Sequence, residues 1–188
     1  MLGDLGIPCA LGGTLFEYFY LQNKIDKYLH YLRHNGFEWI EISRGTVEIA
    51  DSDYYDLVHR FSSEFHVMSE VGFKSAALSD QMTDMDWLQG CQLSIDAGAK
   101  FVILEARESG ASGVVGGNGE IKTPMLNSLS SNFEVESILF EAPVKSLQAN
   151  LINNFGSRVN LGSLSLQSIL PLMALRNNLR QETLNFDS

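Results

Sequence analysis

Four glutamates stand at or near the ends of short apolar runs, at regular intervals along the chain: Glu41, Glu70, Glu105 and Glu141. Their spacings of 29, 35 and 36 residues are close to the roughly 30 residues of a βα unit. One such glutamate alone is best explained as a solvated charge, but four in succession favour a shared site. Ligands bind at the carboxyl ends of parallel strands, and carboxylates suit Mg²⁺. If they converge, Glu70, Glu105 and Glu141 are candidate metal ligands.

Basic residues follow three of these glutamates. Arg107 comes two residues after the third glutamate, whereas Lys74 and Lys145 come four residues after the second and the fourth. An arginine binds a carboxylate or a similar anion bidentately. A lysine in this position serves as a general acid, a phosphate ligand or a plain surface charge. These three side chains are therefore candidates to neutralise an anionic substrate.

Composition limits the classes of partner. The chain has 188 residues, 45% of them hydrophobic and 19% charged, which is typical of one soluble globular domain spanning residues 1–188. Its net charge of −10 argues against nucleic acid or an anionic membrane as the main partner. No apolar run approaches the roughly 20 residues of a membrane helix, and no signal peptide is recognisable. The two distant cysteines, Cys9 and Cys91, predict reduced, buried thiols in a cytoplasmic protein.

Apolar runs alternate with amphipathic patterns along the whole chain. The predicted strands are 8–11, 37–43, 65–73, 101–104, 136–141 and 158–161, and the predicted helices are 16–35, 51–64, 84–97, 126–133, 146–155 and a terminal helix after Ser165. This alternation predicts an α/β fold with a parallel sheet. A closed (β/α)8 barrel needs eight strands and about 250 residues. The six βα units therefore predict either an open sheet or an incomplete TIM-type barrel.

Glycines mark several of the predicted loops. Gly12 and Gly13 follow the first strand and allow either close approach to a ligand or a tight turn, the turn being favoured from the pair alone. The last strand ends in Gly162 and Ser163. Five glycines between residues 110 and 119 indicate either a lid over the site or a solvated loop.

The terminal helix has a predicted apolar side. Pro171 lies inside its pattern and should kink the helix or shift its start. The residues expected on the apolar side are Leu166, Ile169, Leu170, Met173 and Leu175.

Six short motifs, in order, resemble phosphosulfolactate synthases over about residues 12–183. They are Gly12–Glu17, Glu41–Thr46, Glu70–Lys74, Glu105–Gly110, Phe140–Lys145 and Val159–Gly162. The resemblance implies a TIM barrel of which this sequence matches strands three to eight. It also implies Mg²⁺-dependent addition of sulfite to phosphoenolpyruvate, giving 2-phospho-3-sulfolactate in the route to coenzyme M.

The implied mechanism gives each candidate residue a role. Mg²⁺ is expected on Glu70 and Glu105, with Glu141 either as a third ligand or as a residue that contacts the ligands. The ion is expected to stabilise the enediolate that forms on the substrate carboxylate. Arg107 is expected to grip the carboxylate or sulfite, Lys74 to donate the proton, and Lys145 to be the second candidate for that role. The expected substrate-binding residues are Asn160, Gly162 and Ser163 around the phosphate, together with Gly12, Gly13 and Ser43.

Two other functions stay open at this point. One is a non-catalytic, shortened barrel that acts through protein contacts, as in the plant heat-stress-associated branch of the same family. The other is a different carboxylate-and-metal chemistry on the same barrel, because a fold does not fix a function. The expected partners are small anionic substrates and, because the sheet is incomplete, a second copy of the chain.

Overall fold

The computed structural model describes residues 6–79, 81–105 and 123–184. In these ranges six strands alternate with helices. The strands are β1 Ala10–Leu11, β2 Trp39–Ile42, β3 His66–Val71, β4 Phe101–Leu104, β5 Ile138–Glu141 and β6 Asn160–Gly162. The helices are α1 Gly13–Leu21, α2 Ile25–His34, α3 Asp51–Ser62, α4 Ala76–Ser79, α5 Asp84–Asp96, α6 Thr123–Asn132, α7 Lys145–Phe155 and α8 Ile169–Arg176. Short 3-10 turns cover Val135–Ser137, Leu166–Ser168 and Gln181–Thr183.

The six strands form one sheet in chain order, from β1 to β6. The pairs β1–β2, β2–β3 and β5–β6 are parallel. In their registers Glu41 lies opposite Met68, and Glu141 lies opposite Gly162. Sequential parallel strands joined by helices are the arrangement of a (β/α)8 barrel. The predicted α/β class is confirmed, and the six strands are consistent with an incomplete TIM-type barrel.

The chain divides into two compact units, Met1–Val102 and Ile103–Ser188; the single domain expected from the sequence stays a prediction. The core of the first unit is a cluster of buried aromatic and aliphatic side chains from α1, α2, α3, β2 and β3. Phe16 lies at its centre and contacts the rings of Tyr28 and Phe61 edge-on, with centroids 6.2 and 6.0 Å away. Edge-to-face pairs of this kind add to the free energy gained from apolar burial.

The single helix predicted over residues 16–35 is wrong. The chain forms α1 and α2 instead, with a break at Gln22–Lys24 where Asn23 has a φ of 51°. Asparagine tolerates this left-handed conformation better than most residues, because its short polar side chain can bond locally. The apolar spacing continued across the break, so the pattern alone did not reveal it.

The second unit buries Met125, Leu126 and Leu129 of α6, Ile138 and Phe140 of β5, and Leu147, Leu151 and Ile152 of α7. The predicted apolar side of the terminal helix is correct at Leu175 and wrong at its other four residues. Leu166 and Leu170 are 84% and 80% exposed, and the residues buried in α8 are Leu172 and Leu175. A 3-10 turn precedes α8, and Pro171 lies in its first turn. The helical repeat therefore starts later than the sequence pattern suggested, and a different face packs inward.

Both cysteines are free, as predicted, but only Cys91 is buried and Cys9 is half-buried. In the described ranges, none of the helices combines the length and the apolar character that crossing a membrane requires.

Candidate functional site

The start of α1 lies against the end of β2. The backbone N–H of Gly13 donates to Glu41 Oε1 at 2.9 Å. A Cβ atom on Gly13 would lie 2.5 Å from Ser43 Cβ and 2.6 Å from Glu41 Oε1, so this position has no room for a side chain. Gly12, by contrast, is exposed and has open space beside it. Gly13 therefore packs closely against side chains of β2 and its loop, and substrate contact by Gly12 and Gly13 stays a prediction.

A buried carboxylate on α1, Glu17, was not among the sequence candidates. It is 2% exposed and accepts hydrogen bonds from Ser43 Oγ at 2.7 Å, from the Thr46 N–H at 3.1 Å, and from the Thr46 hydroxyl. These donors replace the water that a buried carboxylate loses. A usable signal was present in the sequence, because Glu17 lies one turn after Gly13 on the same side of α1 as Phe16.

Gly45, in the loop between β2 and α3, brings Glu70 and Lys74 together. A Cβ on Gly45 would lie 2.5 Å from Glu70 Oε1 and 3.2 Å from Lys74 Cγ. The Lys74 N–H donates to the Gly45 carbonyl at 3.0 Å. Glu70 is 2% exposed, whereas Lys74 is exposed. The structure thus places the predicted metal ligand and the predicted proton donor beside the same loop residue.

The two faces of β3 carry different chemistry. Ser69 and Val71 point toward the helices, since Ser69 bonds Ser94 of α5 and Val71 would be 2.8 Å from a Cβ on Gly90 of the same helix. Because side chains alternate along a strand, Glu70 lies on the opposite face. On β2, Glu41 follows the same alternation and lies on the face of Trp39. The Trp39 ring stacks on Phe101 and contacts His66 at a tilt of 44°.

This face therefore has rings near the amino ends of the strands and carboxylates near the carboxyl ends. The carboxyl ends of the strands are where (β/α)8 enzymes bind their substrates.

Tyr54 of α3 joins the ends of β2 and β3. Its hydroxyl lies 2.8 Å from the Ile42 carbonyl, 3.0 Å from the Glu70 carbonyl and 2.9 Å from Ser69 Oγ, which in turn bonds Ser94. Burial, assisted by the charge of Glu70, raises the pKa of Tyr54 well above its ordinary value. The hydroxyl therefore stays protonated and polar, and it holds the strand ends together on the side facing the helices.

Arg44 is held at the start of α3. Its guanidinium binds Asp51 Oδ1 at 2.5 Å and the Ile49 carbonyl at 3.2 Å, and it lies 4.5 Å from the centroid of the Tyr54 ring. A cation over an aromatic face is attracted by the ring quadrupole. These contacts assign Arg44 a structural role in the β2–α3 loop.

Open space borders this loop. A cavity of about 280 Å³ is lined by Arg44–Glu48 together with Phe73, Ser75 and Leu78. A second cavity, of about 570 Å³, shares Arg44, Phe73 and Leu78 and extends along α5. Small-molecule sites have volumes of roughly 300–1,000 Å³. The loop that contacts Glu70 and Lys74 thus lines a space near the lower end of that range.

In the second unit, Ser163 and Glu141 come together. Ser163 Oγ donates to Glu141 Oε1 at 2.6 Å, and Ser163 has a φ of 54°. Gly162 pairs with Glu141 across the two strands, and its carbonyl accepts from the Ala142 N–H at 3.0 Å. Asn160 is directed elsewhere, because its amide donates to the Glu136 carbonyl at 2.7 Å, before the start of β5.

Lys145, the first residue of α7, binds the C-terminal segment. Its ammonium group donates to Glu182 Oε1, and the Glu182 carbonyl accepts from Asn153 at 2.9 Å. The hydrogen bond from Lys145 lowers the pKa of Glu182. A substrate role for Lys145 stays a prediction.

The remaining candidates follow β4. Glu105 comes directly after the strand and is 6% exposed. Arg107 and the glycine-rich stretch 110–119 lie outside the described residues. Among the side chains that the structure describes, no three from His, Cys, Asp and Glu gather as a metal-binding group. The Mg²⁺ site therefore stays a prediction.

Comparison with known proteins identifies similar sequences over nearly the whole chain. Residues 1–182 match the family model of (2R)-phospho-3-sulfolactate synthase (ComA). The phosphosulfolactate synthase of Bacillus subtilis (strain 168) is 37% identical over 183 residues, covering 97% of this chain and 73% of that protein. Those of Methanocaldococcus jannaschii and Methanothermobacter thermautotrophicus are each 38% identical, covering 96% and 92% of this chain and 72% and 68% of those proteins.

Proposed function

Because the chain belongs to the (2R)-phospho-3-sulfolactate synthase family, we propose that it is a carbon–sulfur lyase that adds sulfite to phosphoenolpyruvate, giving 2-phospho-3-sulfolactate. We place this activity in the cytoplasm, in coenzyme M biosynthesis or a related sulfonate pathway. The observation that carries the proposal is the meeting of a buried carboxylate, Glu70, and a lysine, Lys74, around Gly45 at the carboxyl end of β3.

The proposed reaction needs one new bond and one proton. The sulfur lone pair of sulfite forms a bond to the methylene carbon of phosphoenolpyruvate, and the electrons of the carbon–carbon double bond move onto the carboxylate as an enediolate. The central carbon then takes a proton, which we assign to the Lys74 ammonium group. Because Lys74 is exposed, solvent can restore that proton after each turnover. Lys145, whose ammonium group also binds Glu182, is the second candidate.

The carboxylates fit a hard cation. Glu70 and Glu105 are both nearly buried, and buried carboxylates are stabilised by cations or by hydrogen-bond donors. We propose these two as Mg²⁺ ligands, because Mg²⁺ binds one or two carboxylates together with water and substrate oxygens. The ion would supply Lewis-acid stabilisation of the charge that develops on the substrate. Glu141 is the third candidate, and its carboxylate also orients Ser163.

The other proposed contacts differ in how directly the geometry supports them. Gly162 and Ser163, at the carboxyl end of β6, support the proposed phosphate position, since barrels often bind phosphate beyond their last strands. Asn160 and Ser43 are engaged within the protein, by Glu136 and Glu17. Arg107 remains our candidate for binding the substrate carboxylate or sulfite.

Phosphorus NMR of the protein with phosphoenolpyruvate, sulfite and Mg²⁺ tests the proposal directly. The expected result is a new phosphate ester, with its rate of formation reduced at least about 100-fold in Lys74→Ala, as removal of a general acid predicts. Lys27→Ala is the matched control, because Lys27 is an exposed lysine on α2, and it should keep the wild-type rate. A folded protein that forms no ester would refute the proposed function.

A protein-contact role is a second candidate, supported by one observation. Leu166 and Leu170 are largely exposed beside Ile169 and Met173, which are about half exposed. Contiguous exposed apolar patches often mark association surfaces, and a second copy of the chain is the proposed occupant. Sedimentation of the wild-type protein and of Leu170→Glu tests this, and a monomer in both would contradict it.

A further inference from the structure

Glu17 is a buried charge whose hydrogen-bond partners include both ends of one loop. Its Oε1 accepts from Ser43 Oγ and from the Thr46 N–H, and its Oε2 accepts from the Thr46 hydroxyl. Burying a carboxylate is costly unless donors surround it. The bonds therefore fix the loop between Ser43 and Thr46 relative to α1.

A second contact fixes the same helix to the same strand. One turn before Glu17, the Gly13 N–H donates to Glu41 on β2. The first turn of α1 is thus attached both to the last part of β2 and to the loop that follows it. Because two attachments four residues apart define a direction as well as a position, α1 acts as a rigid support for the loop.

The same loop contacts the proposed reacting groups, Glu70 and Lys74. Gly45 directly precedes Thr46, and its carbonyl accepts the Lys74 N–H at 3.0 Å. The Gly45 Cα lies so close to Glu70 Oε1 and the Lys74 side chain that a Cβ would collide with the carboxylate. If the loop lost its hydrogen bonds to Glu17, Gly45 could move, and its packing against Glu70 and Lys74 would change.

We propose that Glu17 is a positioning residue for the sulfite addition, acting through Thr46 and Gly45 on Glu70 and Lys74. The inference rests on the proposed function. Glu17 does not touch the substrate in this assignment, because its two oxygens are occupied by the loop. Small displacements of positioned groups reduce turnover by up to about 100-fold.

Three substitutions separate positioning from general stability. Glu17→Ala removes both acceptor oxygens and with them all three hydrogen bonds. Glu17→Gln keeps an oxygen for Ser43 and the Thr46 N–H, and the Thr46 hydroxyl can turn to accept from the new amide. Phe61→Leu is the matched destabilising control, because Phe61 is fully buried in the core of the same unit and its ring packs on the core rings of Phe16, Tyr28 and Phe65.

Turnover and amide hydrogen exchange are then measured on the whole protein. In Glu17→Ala, kcat should fall at least tenfold while KM for phosphoenolpyruvate changes less than threefold. Exchange at the Thr46 and Lys74 amides should accelerate at least tenfold. Glu17→Gln should recover most of kcat, and Phe61→Leu should leave kcat and both amides near wild type. If Glu17→Ala does not fold, Thr46→Val replaces it, since Thr46 is exposed and loses only its hydroxyl.

The outcomes distinguish this inference from the proposed function. Unchanged exchange at Lys74 in the Glu17 or Thr46 variant, or a loss of kcat no larger than that of Phe61→Leu, overturns the positioning role. If the wild-type protein forms no product, the proposed function fails. In that case the coupling from Glu17 to Lys74 is decided by exchange alone, accelerated exchange supporting it and unchanged exchange refuting it.

Discussion

Replacing Tyr54 with phenylalanine tests the hydrogen-bond network behind β2 and β3. The change keeps the ring, its apolar burial and the Arg44 contact, and it removes only the hydroxyl. Ser69 retains Ser94 as a partner, but the carbonyls of Ile42 and Glu70 each lose a neighbouring donor.

The expected loss follows from these contacts. Leaving a buried polar group unsatisfied costs about 1–3 kcal/mol, and one hydroxyl proton serves mainly one carbonyl at a time. We therefore expect Tyr54→Phe to lower the free energy of unfolding by about 2 kcal/mol. The melting temperature should fall by roughly 4–8 °C, because 1 kcal/mol corresponds to about 2–4 °C in a chain of this size.

Tryptophan fluorescence during urea unfolding is a suitable assay. Both tryptophans of the chain, Trp39 and Trp87, belong to the unit that contains Tyr54. Tyr55→Phe is the matched control, since it removes the hydroxyl of the next residue, whose contact with the Asp96 carbonyl is long at 3.4 Å. It should change stability by less than about 0.5 kcal/mol. A Tyr54→Phe protein as stable as this control would refute the argument.

Three further predictions concern buried hydroxyl and thiol groups. Tyr28→Phe should stabilise the protein by about 1 kcal/mol in the same assay, because the buried Tyr28 hydroxyl has no hydrogen-bond partner in the part of the chain that the structure describes; a loss of stability would contradict this. Burial raises the pKa of Cys91 to about 12. At pH 8 a thiol reagent should therefore modify Cys9 alone in the native protein, and both cysteines after denaturation. Two rapidly reacting thiols in the native protein would contradict this prediction. The pKa of Tyr54 is raised in the folded state, so its contribution to stability is complete below the unfolded pKa of about 10 and is lost as the pH rises toward the folded pKa. The stability of the wild-type protein should therefore decline above about pH 10, more steeply than that of Tyr54→Phe. Equal slopes for the two proteins would speak against this assignment.

The order of elements could be predicted because local patterns determine it. The run Phe101–Leu104 is the strand that the sequence predicted, with the same bounds. The helix beginning at Asp84 was also correct, and it has Thr83 and Asp86 as a capping box. The alternation of apolar runs and helices predicted the parallel strand order, since such crossovers join parallel neighbours.

Helix boundaries and faces were less predictable, because contacts distant in sequence decide them. Asn23 interrupts a continuous apolar spacing by adopting a left-handed backbone. In α8, burial of Leu172 and Leu175 rather than Leu166 and Leu170 depends on which side of the helix meets its neighbours. Hydrophobic spacing alone cannot distinguish these faces when apolar residues surround the helix.

The sequence by itself determined the α/β class, the family and the glutamates and lysines at the strand ends, because residue type and spacing carry that information. Only the tertiary structure decided which of these groups meet. It placed Glu70 and Lys74 beside Gly45, engaged Asn160 and Lys145 with other residues, and buried Glu17 against the β2–α3 loop. The hydrogen bonds among these contacts join residues 24 to 37 positions apart on different elements, and no local pattern specifies which of them meet.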